Sequence, residues 1–245
     1  MLFSTRYTDY DAFAWFYDRY WGSTFVTQYY DLVERVALSQ VDKGCNVLDL
    51  CCGSGQLAAR LSEAGYRVSG IDGSAELLKY AREHAPQADF TASDARTFTI
   101  IEKFDLVLST SDSINHVMDL TQLGNVFNNV YSSLRKDGLF FFDISTEEGY
   151  RGRWRGSSSI IEQNHVVASC ASYDAETKEA VQKHTTFVLD KKWKRFDVAI
   201  VERCYSKDEI TTRLTKSLFR NIKTVDAQRD FGKPEIGRLF FQCEK

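Results

Sequence analysis

The stretch from Val47 to Ala58 reads VLDLCCGSGQLA, and it joins an apolar run to an acid, two cysteines and two glycines. The run VLDL is typical of a buried strand, because valine and leucine recur with only Asp49 between them. The glycines are typical of a tight turn that leads into a helix. What such a turn binds depends on the segments around it.

The composition is that of an ordinary globular protein, with 245 residues, 43% hydrophobic and 27% charged side chains. This length fits one large domain, or one domain with a subsidiary piece. A formal net charge of −3 gives no global field that would attract nucleic acid or an anionic membrane. Asp9, Asp11 and Asp18 interrupt the N-terminal stretch where a signal peptide needs apolar residues. We therefore expect a cytoplasmic monomer or homodimer with a small-molecule partner, and neither a nucleic-acid nor a membrane partner.

The six cysteines show neither a C-x-x-C pair nor a histidine at metal-ligand spacing. Adjacent Cys51 and Cys52 could form only a strained bridge. We expect reduced thiols packed in the turn, and no metal site.

Strand-like runs alternate with segments of helical period up to about Tyr150. The strand-like runs are NVLDLCC, YRVSGID, ADFTASDA, KFDLVLST and LFFFDIS. A helical stripe lies before the last of them, formed by Leu120, Leu123, Phe127, Val130 and Leu134. This alternation predicts the α/β class, with a doubly wound parallel sheet covered by helices on both faces.

The pattern changes after Tyr150. Residues 151–205 predict three antiparallel strands, SIIEQNHVVASCAS, EAVQKHTTFVLD and RFDVAIVERCY, joined by the polar turns YDAETK and KKWK. We therefore expect a core over residues 1–150, a small antiparallel β insert over residues 151–205, and completion of the core over residues 206–245.

A helix and a strand pair are expected to close the chain. Ser206 and Glu209 have capping-box spacing ahead of a helical face, which comprises Ile210, Leu214 and Leu218. The runs NIKTVDA and IGRLFFQCE then predict the closing strand pair.

Three acids at strand ends narrow the identity of the ligand. The glycine turn also satisfies the G-x-G-x-x-[GA] pattern of dinucleotide-binding loops, which alone is weakly specific. Asp72 and Asp94 end the next two strands, and an acid at the second strand end can accept both ribose hydroxyls. Asp49, at the mouth of the turn, would repel a pyrophosphate but tolerates a cationic ligand that carries an amino acid.

Five ordered segments over roughly residues 41–146 resemble the class I S-adenosylmethionine-dependent methyltransferases: VLDLCCGSG, VSGIDGS, DFTASDART, FDLVLSTSDSINHV and LRKDGLFFFDIS. The resemblance implies a transferase of the EC 2.1.1 class that uses S-adenosyl-L-methionine. It implies a Rossmann-like, seven-stranded sheet whose last strand is antiparallel, with the β insert after the fifth strand.

The same resemblance implies where the methyl donor binds. It puts Asp72 on the ribose hydroxyls, Asp94 and Ala95 at the adenine, and Gly53 with its neighbours against the methionine moiety. The full set of donor-binding residues that it implies is Asp49, Cys51, Gly53, Gly55, Asp72, Gly73, Asp94, Ala95 and Ser109. Cys51 stands where the family usually has its first glycine.

The N-terminal run YDAFAWFYDRYW resembles the opening of small-molecule methyltransferases, including those that methylate amino sugars and glycine. This resemblance implies that Tyr17 reaches the carboxylate of the donor. Tyr10, Phe13, Tyr17 and Tyr20 also have the spacing of a helical core stripe, so both interpretations stay open.

His116 is the candidate catalytic residue, because an amine acceptor must lose a proton before its lone pair can attack a methyl group. It follows the fourth strand in STSDSINHVMD, on the loop that faces the transferred methyl in this fold. The alternative is a histidine that caps the next helix or lies exposed on it. His84, His165 and His184 are expected to be structural or exposed.

The sequence therefore predicts transfer of a methyl group to nitrogen or oxygen of a small molecule. One alternative is an RNA methyltransferase, because RGRWR and KKWKR interleave basic residues with tryptophan. Lysines in a hairpin turn, however, are also typical of solvated edges. A second alternative is a non-catalytic nucleoside-binding protein of the same fold.

Overall fold

The computed structural model describes residues 8–245. The helices are α1 (Thr8–Phe16), α2 (Thr24–Val36), α3 (Gln56–Glu63), α4 (Leu77–His84), α5 (Leu120–Ser133), α6 (Glu147–Arg153), α7 (Lys207–Lys216) and α8 (Ala227–Phe231). Strands β1 (Asn46–Leu50), β2 (Arg67–Asp72), β3 (Asp89–Ala92), β4 (Phe104–Ser109) and β5 (Leu134–Ser145) come first. Strands β6 (Gly156–Glu162), β7 (His165–Asp174), β8 (Glu179–Asp190), β9 (Lys192–Arg203), β10 (Arg220–Asp226) and β11 (Arg238–Glu244) follow.

Seven strands form one sheet in the order β10-β11-β5-β4-β1-β2-β3. Strands β1 to β5 pair in parallel, and β11 pairs antiparallel to both β5 and β10. The predicted α/β class and the antiparallel last strand are confirmed. Because β1 lies between β4 and β2, the winding reverses at β1, which is where ligands of such sheets bind.

Alternate side chains of the central strands fill two cores, one on each face of the sheet. Phe140 and Phe142 pack with Phe127 of α5 on one face. Phe141 packs with Phe240 on the other face, in a cluster that includes the buried side chains of helix α2. Successive side chains of a strand point to opposite faces, so this continuous phenylalanine run serves both cores. The packing fixes the carboxyl ends of the strands relative to one another.

The insert forms a separate four-stranded antiparallel sheet in the order β6-β7-β8-β9. The prediction of three strands was wrong, because SIIEQNHVVASCAS is two strands, β6 and β7, joined by a turn at Gln163 and Asn164. That turn has neither glycine nor proline to mark it. The second polar turn is also shorter than expected, since Trp193 already belongs to β9.

The capping box ahead of α7 is confirmed, since Ser206 and Glu209 bond reciprocally. Leu218 was wrongly assigned to the helical face. Helix α7 ends at Lys216, and Leu218 is exposed in a left-handed conformation with φ of 70°.

The inner face of the insert holds helix α1 over the main sheet. Phe13 and Phe16 pack with Val167, Val198 and Ile200 in one apolar cluster. A π-helical turn, Tyr17–Trp21, extends α1 beside them. None of the helices within residues 8–245 is long and apolar enough to span a membrane.

The other three histidines, His84, His165 and His184, lie in three different environments. His184 is buried against the rings of Phe13 and Trp21, and burial lowers its pKa to about 4. His165 is buried, with its Nε2 2.5 Å from Tyr20 Oη. His84 lies near the surface, 2.8 Å from Asp18.

Candidate active site

A cleft of about 760 Å³ opens at the carboxyl ends of β1 to β4, and we call it the strand-end cleft. Its walls are Tyr10, Tyr17, Cys51, Gly53, Ile71, Asp72, Gly73, Leu77, Ser93, Ala95, Arg96, Ser111, Ser113 and His116. Seven of the predicted site residues are among them: Tyr17, Cys51, Gly53, Asp72, Gly73, Ala95 and His116. The cleft lies at the strand ends beside β1, where the winding of the sheet reverses.

The turn after β1 has the left-handed backbone that its glycines suggest. Cys51, which stands in place of a glycine, adopts φ of 62°, a conformation that non-glycine residues adopt at some cost in strain. At Gly53, a Cβ would come 3.1 Å from the ring of Tyr17, so glycine lets this ring lie against the turn. At Gly55, a Cβ would come 2.7 Å from Ala81 Cα. Gly55 therefore packs the turn against helix α4 and does not line the cleft.

Asp72 lines the strand-end cleft at the end of β2. Its carboxylate accepts hydrogen bonds from the backbone N–H groups of Gly53 and Ser74, both at 2.8 Å. Burial raises the pKa of Asp72, although these two N–H groups favour the charged form. The residue thus joins the turn after β1 to the end of β2.

Asp49 lies just outside the strand-end cleft, in a small adjoining cavity with Tyr17, Gln56 and Thr110. It is buried, and its Oδ2 makes no hydrogen bond with any of the described residues. Burial, with the charge on Asp72, raises the pKa of Asp49 to about 7. A buried carboxylate with an open acceptor position fits a ligand that brings an ammonium group.

Asp94 and Ser109 do not line the strand-end cleft. Arg96 holds the carboxylate of Asp94, with Nε 2.9 Å from Oδ1, and it is Arg96 that lines the cleft beside Ala95. Ser109 is fully buried. The sequence patterns missed Arg96, because no spacing rule distinguishes it from a surface arginine.

A second cleft of about 850 Å³ lies between the main sheet and the insert, and we call it the insert cleft. It shares Tyr10, Tyr17, Ser111 and His116 with the strand-end cleft, and we call these four residues the shared wall. Its other walls are Trp21, Thr24, Phe25, Gln28, Tyr29, Asp112, Arg153, Trp154, Gln182, Ile200, Glu202, Glu235 and Arg238. The two clefts therefore meet at one aromatic and polar boundary.

His116 ends the 3₁₀ turn Ser113–His116 and faces both clefts. Its Nε2 lies 3.1 Å from Tyr10 Oη and 3.6 Å from Glu202 Oε1. The preceding residue fixes the turn, because the buried amide of Asn115 donates to the carbonyl oxygens of Ser145 and Arg203. This arrangement can take a proton at His116 and balance the resulting charge at Glu202.

Arg238 lies at the floor of the insert cleft among carboxylates. It contacts Asp112 at 3.3 Å and makes closer contacts with Asp143 and Glu235. Burial is the largest effect on Asp112 and disfavours its charge, but Arg238, the hydrogen bond from Ser145 and the charges on His116 and Arg153 together hold the pKa of Asp112 below its usual value. Burial dominates at Asp143, where it raises the pKa to about 6.

The sequence patterns missed Glu202 and Arg238. They lie far from His116 along the chain and belong to no local motif.

Comparison with known proteins finds a methyltransferase domain in the chain. A family model described as a methyltransferase domain matches residues 47–138, from strand β1 into strand β5. A protein of Geobacillus sp. (strain WCH70) that is named a putative methyltransferase is 26% identical, over 96% of this chain and 99% of its own length.

Solved structures have the same fold as this chain. An S-adenosylmethionine-dependent methyltransferase from Clostridium acetobutylicum ATCC 824 superimposes with a TM-score of 0.78 at 22% identity, over 96% of this chain and 98% of that one. An amino pentose methyltransferase from Micromonospora echinaspora, bound to its donor, gives a TM-score of 0.71 at 17% identity, over 94% and 95%. Among the described residues of the chain, no group of three or more histidine, cysteine or acidic side chains could hold a metal ion.

Proposed function

We propose that the chain is a class I S-adenosylmethionine-dependent methyltransferase, which binds S-adenosyl-L-methionine in the strand-end cleft and methylates nitrogen or oxygen of a small molecule bound in the insert cleft. The observation that carries the proposal is the shared wall. Because its four residues line both clefts, a group bound in one cleft lies next to a group bound in the other. When bound, S-adenosyl-L-methionine supplies a methyl group on a sulfonium, and the electrons of the broken carbon–sulfur bond stay with sulfur. The protein supplies orientation, which can lower such a barrier by about 7–11 kcal/mol.

We assign the donor's parts by the chemistry of the walls. Asp72 offers a carboxylate for ribose hydroxyls, and Ala95 lies at the next strand end, where adenine fits. The open Oδ2 of Asp49 suits an ammonium group in the adjoining cavity. Tyr17 packs on Gly53 between these regions and belongs to the methionine part of the site. Asp94 acts through Arg96, whereas Gly55 and Ser109 support the turn and the strand.

His116 is the proposed general base. Its Nε2 faces the shared wall, so it can take the proton that an amine or hydroxyl acceptor must lose. The Tyr10 hydroxyl lies 3.1 Å from the same nitrogen, so it can relay this proton, giving its own proton to Nε2 as it takes the proton of the acceptor. The methylated acceptor then leaves through the insert cleft, and the proton passes to solvent.

A small molecule fits this site better than RNA does. The insert cleft is walled by the aromatic rings of Trp21 and Trp154, which can pack against a sugar or an amino acid derivative. The basic run KKWKR lies on the exposed β8–β9 hairpin and lines neither cleft. The amino pentose methyltransferase with the same fold makes amino sugars a natural first group to test.

We relate the predicted division of the chain into a core, an insert and a core-completing segment to the proposed roles of the two clefts. The strand-end cleft takes its described walls from residues before 117, whereas the insert, residues 151–205, contributes Arg153, Trp154, Gln182, Ile200 and Glu202 to the insert cleft. We therefore assign acceptor recognition to the insert, with residues 206–245 completing the core.

A panel of amines, amino sugars, sugars and small carboxylic acids tests the proposal. Each compound is incubated with the protein and isotopically labelled donor, and products are scored by mass. We expect one chemical group in the panel to gain a methyl mass, with one S-adenosylhomocysteine released per methyl transferred. Transfer to bulk RNA, with no transfer to any small molecule, would refute it.

A further inference from the structure

Glu202 of strand β9 is a buried carboxylate at the edge of the shared wall. It is 4% exposed, its Oε2 accepts a 2.6 Å hydrogen bond from the Tyr150 hydroxyl, and its Oε1 lies 3.6 Å from His116 Nε2. Within residues 8–245, no lysine or arginine lies within ion-pair distance of Glu202. Arg153 and Arg238 act on Glu202 only from beyond ion-pair distance, and a buried carboxyl group so placed in a cleft is a candidate ligand-binding group.

The two guanidinium groups of the insert cleft are engaged elsewhere. Arg238 contacts three carboxylates, on Asp112, Asp143 and Glu235. Arg153 donates to the carbonyl oxygen of Ile236 and to Ser145 Oγ. The walls of the insert cleft thus carry three carboxyl groups, on Asp112, Glu202 and Glu235, and two guanidinium groups that are already engaged within the protein, which favours a cationic over an anionic acceptor.

The groups that face Glu202 come from five parts of the fold. They are Tyr10 of α1, Asp112 after β4, His116, Tyr150 and Arg153 of α6, and Arg238 of β11. Burial first, and then the charge on Asp112, raise the pKa of Glu202 well above its usual value. A cation that arrives beside the carboxyl group reverses this effect, because it stabilises the ionised form.

We propose that Glu202 selects a positively charged amine as the acceptor, and that its carboxylate and His116 receive the amine together. This inference rests on the proposed function and narrows it from nitrogen or oxygen to a protonated nitrogen. The proton that leaves the amine passes to His116 Nε2, and Glu202 balances the imidazolium charge. Carboxylate and phenolate acceptors are disfavoured by the same charge.

Two donor analogues test the inference without knowledge of the acceptor. Sinefungin carries a protonated amino group in place of the methyl group, whereas S-adenosylhomocysteine lacks both that group and its charge. Calorimetry gives the dissociation constant of each, and their ratio reports the preference for a cation at the shared wall. In the Glu202→Gln variant, we expect this preference for sinefungin to fall about fivefold or more, with S-adenosylhomocysteine affinity within twofold of wild type.

Two further variants make the result specific. Asp197→Asn removes an exposed carboxylate from the same strand, and it should leave the ratio unchanged. Glu202→Asp keeps the charge, so the ratio should stay within about threefold of wild type, and this variant serves also if the glutamine variant fails to fold.

An equal ratio in wild type and Glu202→Gln would overturn the inference, as would an equal fall in Asp197→Asn. Loss of S-adenosylhomocysteine binding in Glu202→Gln would also overturn it, because Glu202 would then belong to the donor site. Failure of the proposed function has a different signature: the ratio behaves as expected, but no compound of the panel is methylated.

Discussion

Replacing Asp72 with alanine should weaken both donor binding and the fold, each by an amount that the structure sets. The carboxylate accepts from the backbone N–H groups of Gly53 and Ser74 and also lines the strand-end cleft. Asp72→Ala leaves these two N–H groups without their acceptor and removes the proposed partner of the ribose hydroxyls.

The stability effect is a balance of two terms. A buried N–H group left without a partner costs about 1–3 kcal/mol, so two such groups give about 2–6 kcal/mol. Burial of the Asp72 carboxylate is itself unfavourable, as its raised pKa indicates. Its removal therefore offsets part of the stability lost with the two hydrogen bonds. We therefore expect a net loss of about 1–3 kcal/mol in the free energy of unfolding, with a lower melting temperature but a folded protein at 25 °C.

The binding effect follows from hydrogen bonds to a charged group, which contribute roughly 1.5–3 kcal/mol. Asp72→Ala should therefore raise the dissociation constant for S-adenosylhomocysteine by about one to two orders of magnitude. Calorimetry below the transition temperature measures this constant, and denaturant unfolding measures the stability. Asp89→Ala is the control, because Asp89 is exposed at the opposite end of the neighbouring strand β3. An unchanged dissociation constant in folded Asp72→Ala would remove Asp72 from the ribose site.

Three other variants probe the remaining assignments. His116→Ala should lower turnover at least tenfold, since a general base contributes about 10²–10⁴ in rate. It should keep the affinity for S-adenosylhomocysteine within about twofold of wild type. Unchanged turnover would show that His116 is structural. Asp49→Asn should gain stability over wild type as pH rises from about 4 to 7, because wild type loses stability between the unfolded pKa of Asp49, 3.8, and its native pKa of about 7. A constant difference between the two unfolding curves would contradict the burial argument. Gln182→Ala, on the insert, should raise KM for the acceptor without changing donor affinity, and an equal loss of both would refute the assignment of the insert to acceptor recognition.

The main sheet could be predicted from the sequence because its determinants are local. The apolar run into β1 and the capping box at Ser206 each lie within a few residues of the element they define. The turn between β6 and β7 was missed because Asn164, the one residue there that favours turns, has neither a glycine nor a proline beside it.

The positions of four aromatic residues near the N-terminus differ from those expected from their spacing, because the helix changes its geometry there. A uniform helix would put Tyr10, Phe13, Tyr17 and Tyr20 on one stripe. The π-helical turn that starts at Tyr17 changes this spacing. Tyr10 and Tyr17 line the shared wall, Phe13 is buried against the insert, and Tyr20 contacts His165.

The acceptor side of the site depends on long-range contacts that no motif encodes. Glu202 reaches His116 only because the register of β9 in the insert directs it inward, and Arg238 reaches Asp112 across the sheet from β11. On the donor side, the acids at strand ends were visible in the sequence, but the pairing of Asp94 with Arg96 depends on side-chain orientation.

A crystal structure with S-adenosylhomocysteine and a methylated panel compound tests the central claim, that two clefts meet at one wall, most directly. We expect the ribose on Asp72, the sulfur at the shared wall beside Tyr17, and the methylated nitrogen in the insert cleft within hydrogen-bonding distance of His116. A methylated atom bound outside the insert cleft, or a sulfur atom turned away from the shared wall, would contradict the account.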